Sequence, residues 1–226
     1  MSNSVLIKSS LVKKYWMAIT GLFLCLFLVG HLLGNLQLLL PADDASDSFN
    51  LYARFMTTNP IVKILSYLTY FGILFHAFDG ILLTIQNKKA RPVAYAYNKP
   101  SANSNWASRN MGLLGTILLL FLIIHMRSFW YEMHFGDVPK TIIGGEEVKD
   151  LYMITTQAFE QLWYVILYVV CMIAIAFHLT HGFSSAFQTL GANHPKYKQL
   201  VKNIGFAFGI LIPLAFAIIP LSLYFR

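Results

Sequence analysis

Five long apolar runs organise this 226-residue chain, and four of them carry a histidine deep within. The runs cover roughly 13–39, 60–86, 108–134, 153–188 and 203–225. A stretch of about 20 apolar residues suffices to cross a bilayer. Hydrocarbon offers the backbone no hydrogen bonds, so such runs must satisfy themselves as helices. The expected fold is therefore an all-α membrane protein, a bundle of five transmembrane helices. Composition agrees: hydrophobic residues make up 57% and charged residues 12%, against about one quarter charged in soluble domains. The connections leave no room for a separate soluble domain, and 1–226 reads as one membrane domain.

Charge distribution supplies an orientation. The N-terminal segment, the 87–107 connection with Arg109, and the 189–202 connection hold eleven of the seventeen Lys and Arg, with no Asp or Glu among them. Acids gather in the alternate connections: Asp43, Asp44 and Asp47, then Asp137, Glu146, Glu147 and Asp150. The positive-inside rule places the N-terminus in the cytoplasm and, after five crossings, Arg226 outside. The net charge of +7 is thus mainly a topology signal, and a nucleic-acid partner is not expected. Lys8, Lys13 and Lys14 precede an apolar run too long for the core of a removable signal peptide. Cys25 and Cys171 lie in separate spans and match neither a disulfide framework nor a CxxC or CxxCH site. They read as small packing residues.

The histidines inside the spans are His31, His76, His125 and His178. A titratable side chain in hydrocarbon is costly and marks a functional site by default. Four of them, one per helix, form the set that two six-coordinate haems b require, each held between a pair of imidazoles. His31 lies 17 residues beyond Lys14 and His125 lies 16 beyond Arg109, roughly 25 Å from the inner end at 1.5 Å per residue. His76 precedes Lys88 by 12 residues and His178 precedes Gly191 by 13, roughly 18–20 Å by the same rise. Depth therefore groups His31 with His125 towards the outside and His76 with His178 towards the inside. A single intramembrane histidine can also bond a neighbouring helix. His181, three residues beyond His178 on nearly the same face, competes with it as a ligand or could meet a haem propionate.

Small residues flank the histidines. Gly80 and Gly182 stand at i+4 from His76 and His178, Gly72 one turn before His76, and Gly34 at i+3 from His31. Smooth strips of this kind suit a flat porphyrin, although they equally let bare helices approach. Asp79, at i+3 from His76, reads either as a proton relay or as a buried hydrogen-bonding group. Gly205-Phe-Ala-Phe-Gly209 fits helix packing, and Pro213 and Pro220 suggest kinks.

Gly-His-Leu-Leu-Gly-Asn at 30–35, Phe-His-Ala-Phe-Asp-Gly at 75–80, Ile-His-Met at 124–126 and Phe-His-Leu-Thr-His-Gly-Phe-Ser-Ser-Ala-Phe-Gln-Thr-Leu-Gly at 177–191 resemble a known family. This is the cytochrome b558-type membrane anchor of succinate dehydrogenase and fumarate reductase, the succinate:quinone oxidoreductases. The resemblance covers essentially the whole chain, and the 177–191 block is its most specific part. It implies a single-chain anchor with two haems b. His31 and His125 would ligate the distal haem, and His76 and His178 the proximal one; the HxxxG pattern favours His178 over His181. It also implies a flavoprotein subunit and an iron–sulfur subunit on the cytoplasmic face, a membrane quinone, expected to be menaquinone, and the cytoplasmic membrane of a bacterium. The sequence itself carries no GxGxxG fingerprint and no cysteine cluster, so substrate oxidation would belong to those partners.

Towards the outer helix ends lie Asn35, Gln37, Arg54, Arg127, Glu132 and His134, a set able to bond quinone carbonyls and move a proton. An ordinary polar belt is the simpler reading for most of them. Arg127, two residues beyond His125, is the one expected to grip a haem propionate, since guanidinium forks onto carboxylates. Ser184, Ser185, Gln188 and Lys202 could serve the inner haem, while His134 and His194 read as solvated. Two other functions compete: a b-type anchor of a hydrogenase or formate dehydrogenase, and a haem-free transporter relaying protons through histidines.

Overall fold

A computed structural model describes residues 10–90 and 104–226. Lys8 and most of the basic 87–107 connection lie outside the described residues, as does the Asp43 side chain. Five helices are long and apolar enough to cross a membrane: Leu11–Leu39, Pro60–Lys89, Met111–Phe135, Leu162–Thr189 and Pro195–Tyr224. The elements in chain order are α1 (Ser10–Asn35), continued by a 3-10 turn (Leu36–Leu39), α2 (Ala42–Thr58), α3 (Pro60–Lys89), α4 (Trp106–Arg109) and α5 (Met111–His125). After α5 come a π-helical turn (Met126–Tyr131), α6 (Glu132–Phe135), β1 (Lys140–Ile143), β2 (Glu146–Lys149), α7 (Leu151–Phe159), α8 (Leu162–Thr189) and α9 (Pro195–Tyr224).

Local chemistry fixes the ends. Pro60 opens α3 at a position whose N–H has no helical partner, and Asn59 caps it by accepting from Ile61 N and Val62 N. Pro195 opens α9 in the same way, with the His194 side chain accepting from Lys196 N; that histidine is a cap. The fourth run differs from the expected 153–188. Asp150 caps α7 by accepting from Met153 N, and Gln161 adopts an extended backbone, so the span proper begins only at Leu162. The polar residues of Thr155-Thr156-Gln157 and Glu160-Gln161 make this first segment a poor hydrocarbon helix. The last span, by contrast, starts eight residues before the expected 203 and runs through both Pro213 and Pro220.

Helix α8 is the hub, packing on α1, α5 and α9. The α8–α9 contact is close because Gly205 and Gly209 present bare backbone: a Cβ at Gly209 would lie 2.7 Å from Thr180 N, and one at Gly205 would lie 2.8 Å from Ser184 Oγ. This is the packing expected of Gly205-x-x-x-Gly209. Cys25 and Cys171 are buried free thiols.

One end of the bundle carries a cap that helix periodicity did not announce. The amphipathic α2 folds back beside α1, where the Tyr52 ring lies against Gly34. Asn50, 1% exposed, donates to Asp150 Oδ1 at 3.0 Å and accepts from Tyr152 N at 2.9 Å. These two bonds join α2 to α7. Arg54 forms an ion pair with Glu146 on the hairpin. The β1–β2 hairpin turns through Gly144 and Gly145, both at positive φ, in the left-handed region that a tight hairpin demands. Fully buried Leu38 packs with Leu32 and Ile219 beneath this cap. Arg226 donates to the Leu40 carbonyl at 2.6 Å, so the chain ends on the same side. The opposite end bears the Leu190–His194 connection together with Lys13, Lys14, Lys88, Lys89, Lys196, Lys198 and Lys202.

Candidate functional site

The fold brings the four span histidines together as two pairs. His31 of α1 faces His125 of α5 with ring centres 5.8 Å apart and planes at 89°. His76 of α3 faces His178 of α8 at 6.2 Å and 68°. Each pair draws its members from two different helices, and no histidine is shared. His181 makes no ring contact with another histidine.

Neighbouring contacts set the vertical spacing. Thr20 touches His76 and precedes His31 by eleven residues on the same helix, which is about 16 Å at 1.5 Å per residue. Tyr168 touches His125 and precedes His178 by ten, about 15 Å by the same rule. Two helices thus give one answer, and the cap-end pair stands about three helical turns above the loop-end pair. Depths counted from basic residues gave a much smaller gap. The reason is that those residues are not level: His76 stands beside Thr20, six residues inside Lys14, yet twelve from Lys88.

The shells around the pairs differ. Around the cap-end pair, Phe27 stacks on His31 at 5.3 Å, and Phe216 lies 5.7 Å from it. Phe121, Phe129 and Tyr168 surround His125. Tyr168 OH lies 3.0 Å from His125 Nδ1 and 3.0 Å from Tyr164 OH, forming a buried hydroxyl chain. Around the loop-end pair, Thr20 Oγ1 lies 3.2 Å from His76 Nδ1, and Gly21 leaves room for the ring: a Cβ there would meet His76 Cε1 at 3.2 Å. Nδ1 of His178 is buried with no hydrogen-bond partner among the described residues.

Both pairs fit an axially ligated haem. An imidazole nitrogen binds a first-row metal at about 2 Å, so two imidazoles on opposite sides of one ion hold their ring centres roughly 6 Å apart. The observed separations meet that requirement. Nδ1 of His178 is a buried polar atom left unsatisfied among the described residues. The glycines near the histidines divide: a Cβ at Gly30 or Gly182 would meet nothing within 4 Å and one at Gly80 only the tip of Met17, whereas Gly34 is covered by the Tyr52 ring and Gly72 by Phe23. Among the described residues no group of three or more His, Cys, Asp or Glu could hold a bare metal ion.

The secondary candidates fare unevenly. The π turn directly after His125 brings residues five apart face to face, so Arg127 pairs with Glu132 and lies over the Tyr131 ring, 4.6 Å from its centre. Its guanidinium is largely exposed. Asn35 donates to the His31 carbonyl at 2.7 Å, His134 Nδ1 donates to the Trp130 carbonyl at 2.9 Å, and Arg54 is held by Glu146. Gln37 sits half-buried in the 3-10 turn. Asn35, Arg54 and His134 therefore have structural partners. At the loop end, Ser184, Gln188 and Lys202 line a cleft of about 30 Å³ with Asn193 and Lys198, while Ser185 does not. Asp79 is buried and forms no ion pair with a described residue.

Sequence reasoning missed Thr20, Gly21, Tyr168 and Tyr164. Thr20 had a detectable signal, since eleven residues make three turns and place it under His31 on one face of an otherwise apolar helix. The tyrosines gave none, being common inside such spans. No protein-family model matches the chain, and neither a curated protein nor a solved structure does.

Proposed function

We propose that the chain is the dihaem cytochrome b anchor of a succinate:quinone oxidoreductase, passing electrons between an iron–sulfur subunit and a membrane quinone. The observation that carries this reading is the meeting of four intramembrane histidines as two separate pairs, stacked about 15 Å apart. A structural role for each histidine would require no such pairing. His31 with His125, and His76 with His178, would each hold one haem iron. Haem would supply reversible one-electron carriage. The chain contributes ligands, spacing and a dry aromatic surround.

The orientation follows from the basic end. Lys13, Lys14, Lys88, Lys89, Lys196, Lys198 and Lys202 gather opposite the acidic cap, consistent with a cytoplasmic face that receives the flavoprotein and iron–sulfur subunits. The quinone, menaquinone by family resemblance, would then react nearer the cap. The setting by the same resemblance is a bacterial cytoplasmic membrane.

The test is a pyridine haemochromogen assay with a redox titration on the purified membrane complex, repeated for His31→Ala and His178→Ala. Two protohaems per chain are expected, with each substitution removing a different midpoint potential. One haem per chain would leave a pair structural. None would turn the reading to a histidine-relay transporter, and co-purifying hydrogenase or formate dehydrogenase subunits would move the anchor to another enzyme.

A further inference from the structure

Thr20 is 8% exposed, on the apolar helix α1, and its hydroxyl has two claims on it. It donates to the Trp16 carbonyl four residues back at 2.7 Å, with the Met17 carbonyl more distant at 3.3 Å. A hydroxyl has one proton and two lone pairs. With the proton committed to Trp16, the contact to His76 Nδ1 at 3.2 Å closes only if the ring donates and Thr20 accepts; the Met17 carbonyl, which also faces this ring, can likewise only accept. The neutral imidazole then carries its proton on Nδ1, which leaves the lone pair on Nε2 for a metal. Gly21, next in sequence, admits the ring edge that any larger residue would crowd. Thr20 and Gly21 together form a notch in α1 shaped for one ring in one tautomer.

No other member of the four is set this way. Tyr168 can turn its proton to His125 or to Tyr164, and His178 Nδ1 has no partner among the described residues. From this asymmetry we propose that Thr20 is a positioning residue for the loop-end haem, fixing His76 as an Nε2 ligand and raising its donor strength through the Nδ1–H bond. The proposal rests on the dihaem reading. Outer-shell acceptors make a ligating histidine more basic, and a more basic ligand favours ferric over ferrous iron. Thr20 therefore holds one of the two potentials down.

The experiment compares wild type, Thr20→Val and Thr20→Ser in the purified membrane complex, by haem count and by spectroelectrochemical titration. Valine keeps the shape and loses the hydroxyl acceptor, leaving only the Met17 carbonyl beside the ring; serine keeps the hydroxyl. Thr20→Val is expected to retain two haems and shift one midpoint potential upward. A tenfold change in the ferric–ferrous equilibrium would read as about 59 mV for one electron. The other potential stays, and serine restores the first. Loss of one haem in valine but not in serine supports the same role more strongly. Two haems with both potentials unmoved overturn the proposal while leaving the dihaem reading intact, as does a serine variant that behaves like valine. A wild-type chain without haem overturns both. Thr20→Ala, which cannot overpack, repeats the comparison if the valine protein fails to accumulate.

Discussion

The cap-end pair and the loop-end pair use the same two side chains at nearly the same ring separation, 5.8 Å and 6.2 Å, yet they are built differently around them. His31 and His125 sit among five aromatic rings, under a lid of α2, α7 and the hairpin. The hydrogen-bond partner there is a tyrosine chain whose protons can point either way. His76 and His178 sit where glycines thin the helices, with one ring in contact with Thr20 and the other without a partner at Nδ1 among the described residues. Identical ligands in unlike shells are how a protein makes two chemically identical groups unequal. If each pair holds a haem as proposed, the ligand set decides what binds, and the neighbours decide at what potential it works.

The strongest way to break the comparison is to damage one pair's scaffold alone. Gly209→Leu drives a side chain into the backbone of Thr180, two residues beyond His178. Overpacking of this kind costs about 1–3 kcal/mol where side chains can yield, and a backbone yields less. On the dihaem reading, thermal melts followed at the Soret band should show the loop-end haem lost first, with the cap-end haem surviving. Next in size is Tyr168→Phe, which removes the His125 Nδ1 partner from a buried site. Leaving such a group unpaired costs about 1–3 kcal/mol. The cap-end potential should move in a redox titration, the loop-end potential should not. The smallest effect is expected of Arg127→Ala. Its ion pair with Glu132 is solvent-exposed, a class of contact worth about 0–1 kcal/mol, so neither potential should move. A shift at the cap-end haem would instead place that guanidinium on a propionate.

What the sequence made legible follows from how strongly each feature is forced. A histidine in an apolar run has few ways to be satisfied, so His31, His76, His125 and His178 were visible as a set, and counting residues along the helices grouped them as the fold does. The spans were legible for the same reason, except at two starts: α7 and α8 read as one run because Glu160 and Gln161 interrupt it only briefly, and the polar first turns of α9, with Lys196, Lys198 and Lys202, hid its start at Pro195. The cap was harder. Helix α2 mixes Asp44, Asp47 and Arg54 with Phe49, Leu51 and Phe55, and its anchor, Asn50, finds its partners a hundred residues away. The hairpin had a local signal in Gly144-Gly145 flanked by Thr-Ile-Ile and Glu-Glu-Val, but eight strand residues weigh little against five long helices. The outer-shell bonds from Thr20 and Tyr168 depend on how helices rotate against each other, which no single helix encodes.

The π turn that follows His125 has a consequence for how this span tolerates change. A π turn is an α-helix holding one residue too many, so the stretch from Met126 to Tyr131 is a place where the chain carries slack. Deleting one residue there would let the turn relax into ordinary helix without breaking the span. Residues in a π turn each rotate the chain less than α residues do, so the shortened turn would sweep nearly the same angle and everything beyond would keep its facing relative to His125. Arg127 and Glu132, then four apart, would still be neighbours on one face, and the hairpin and the start of α7 would stay against the lid they close. Length in this helix is therefore buffered: the turn takes up one surplus residue where it stands, and the two halves of the span keep their neighbours with or without it.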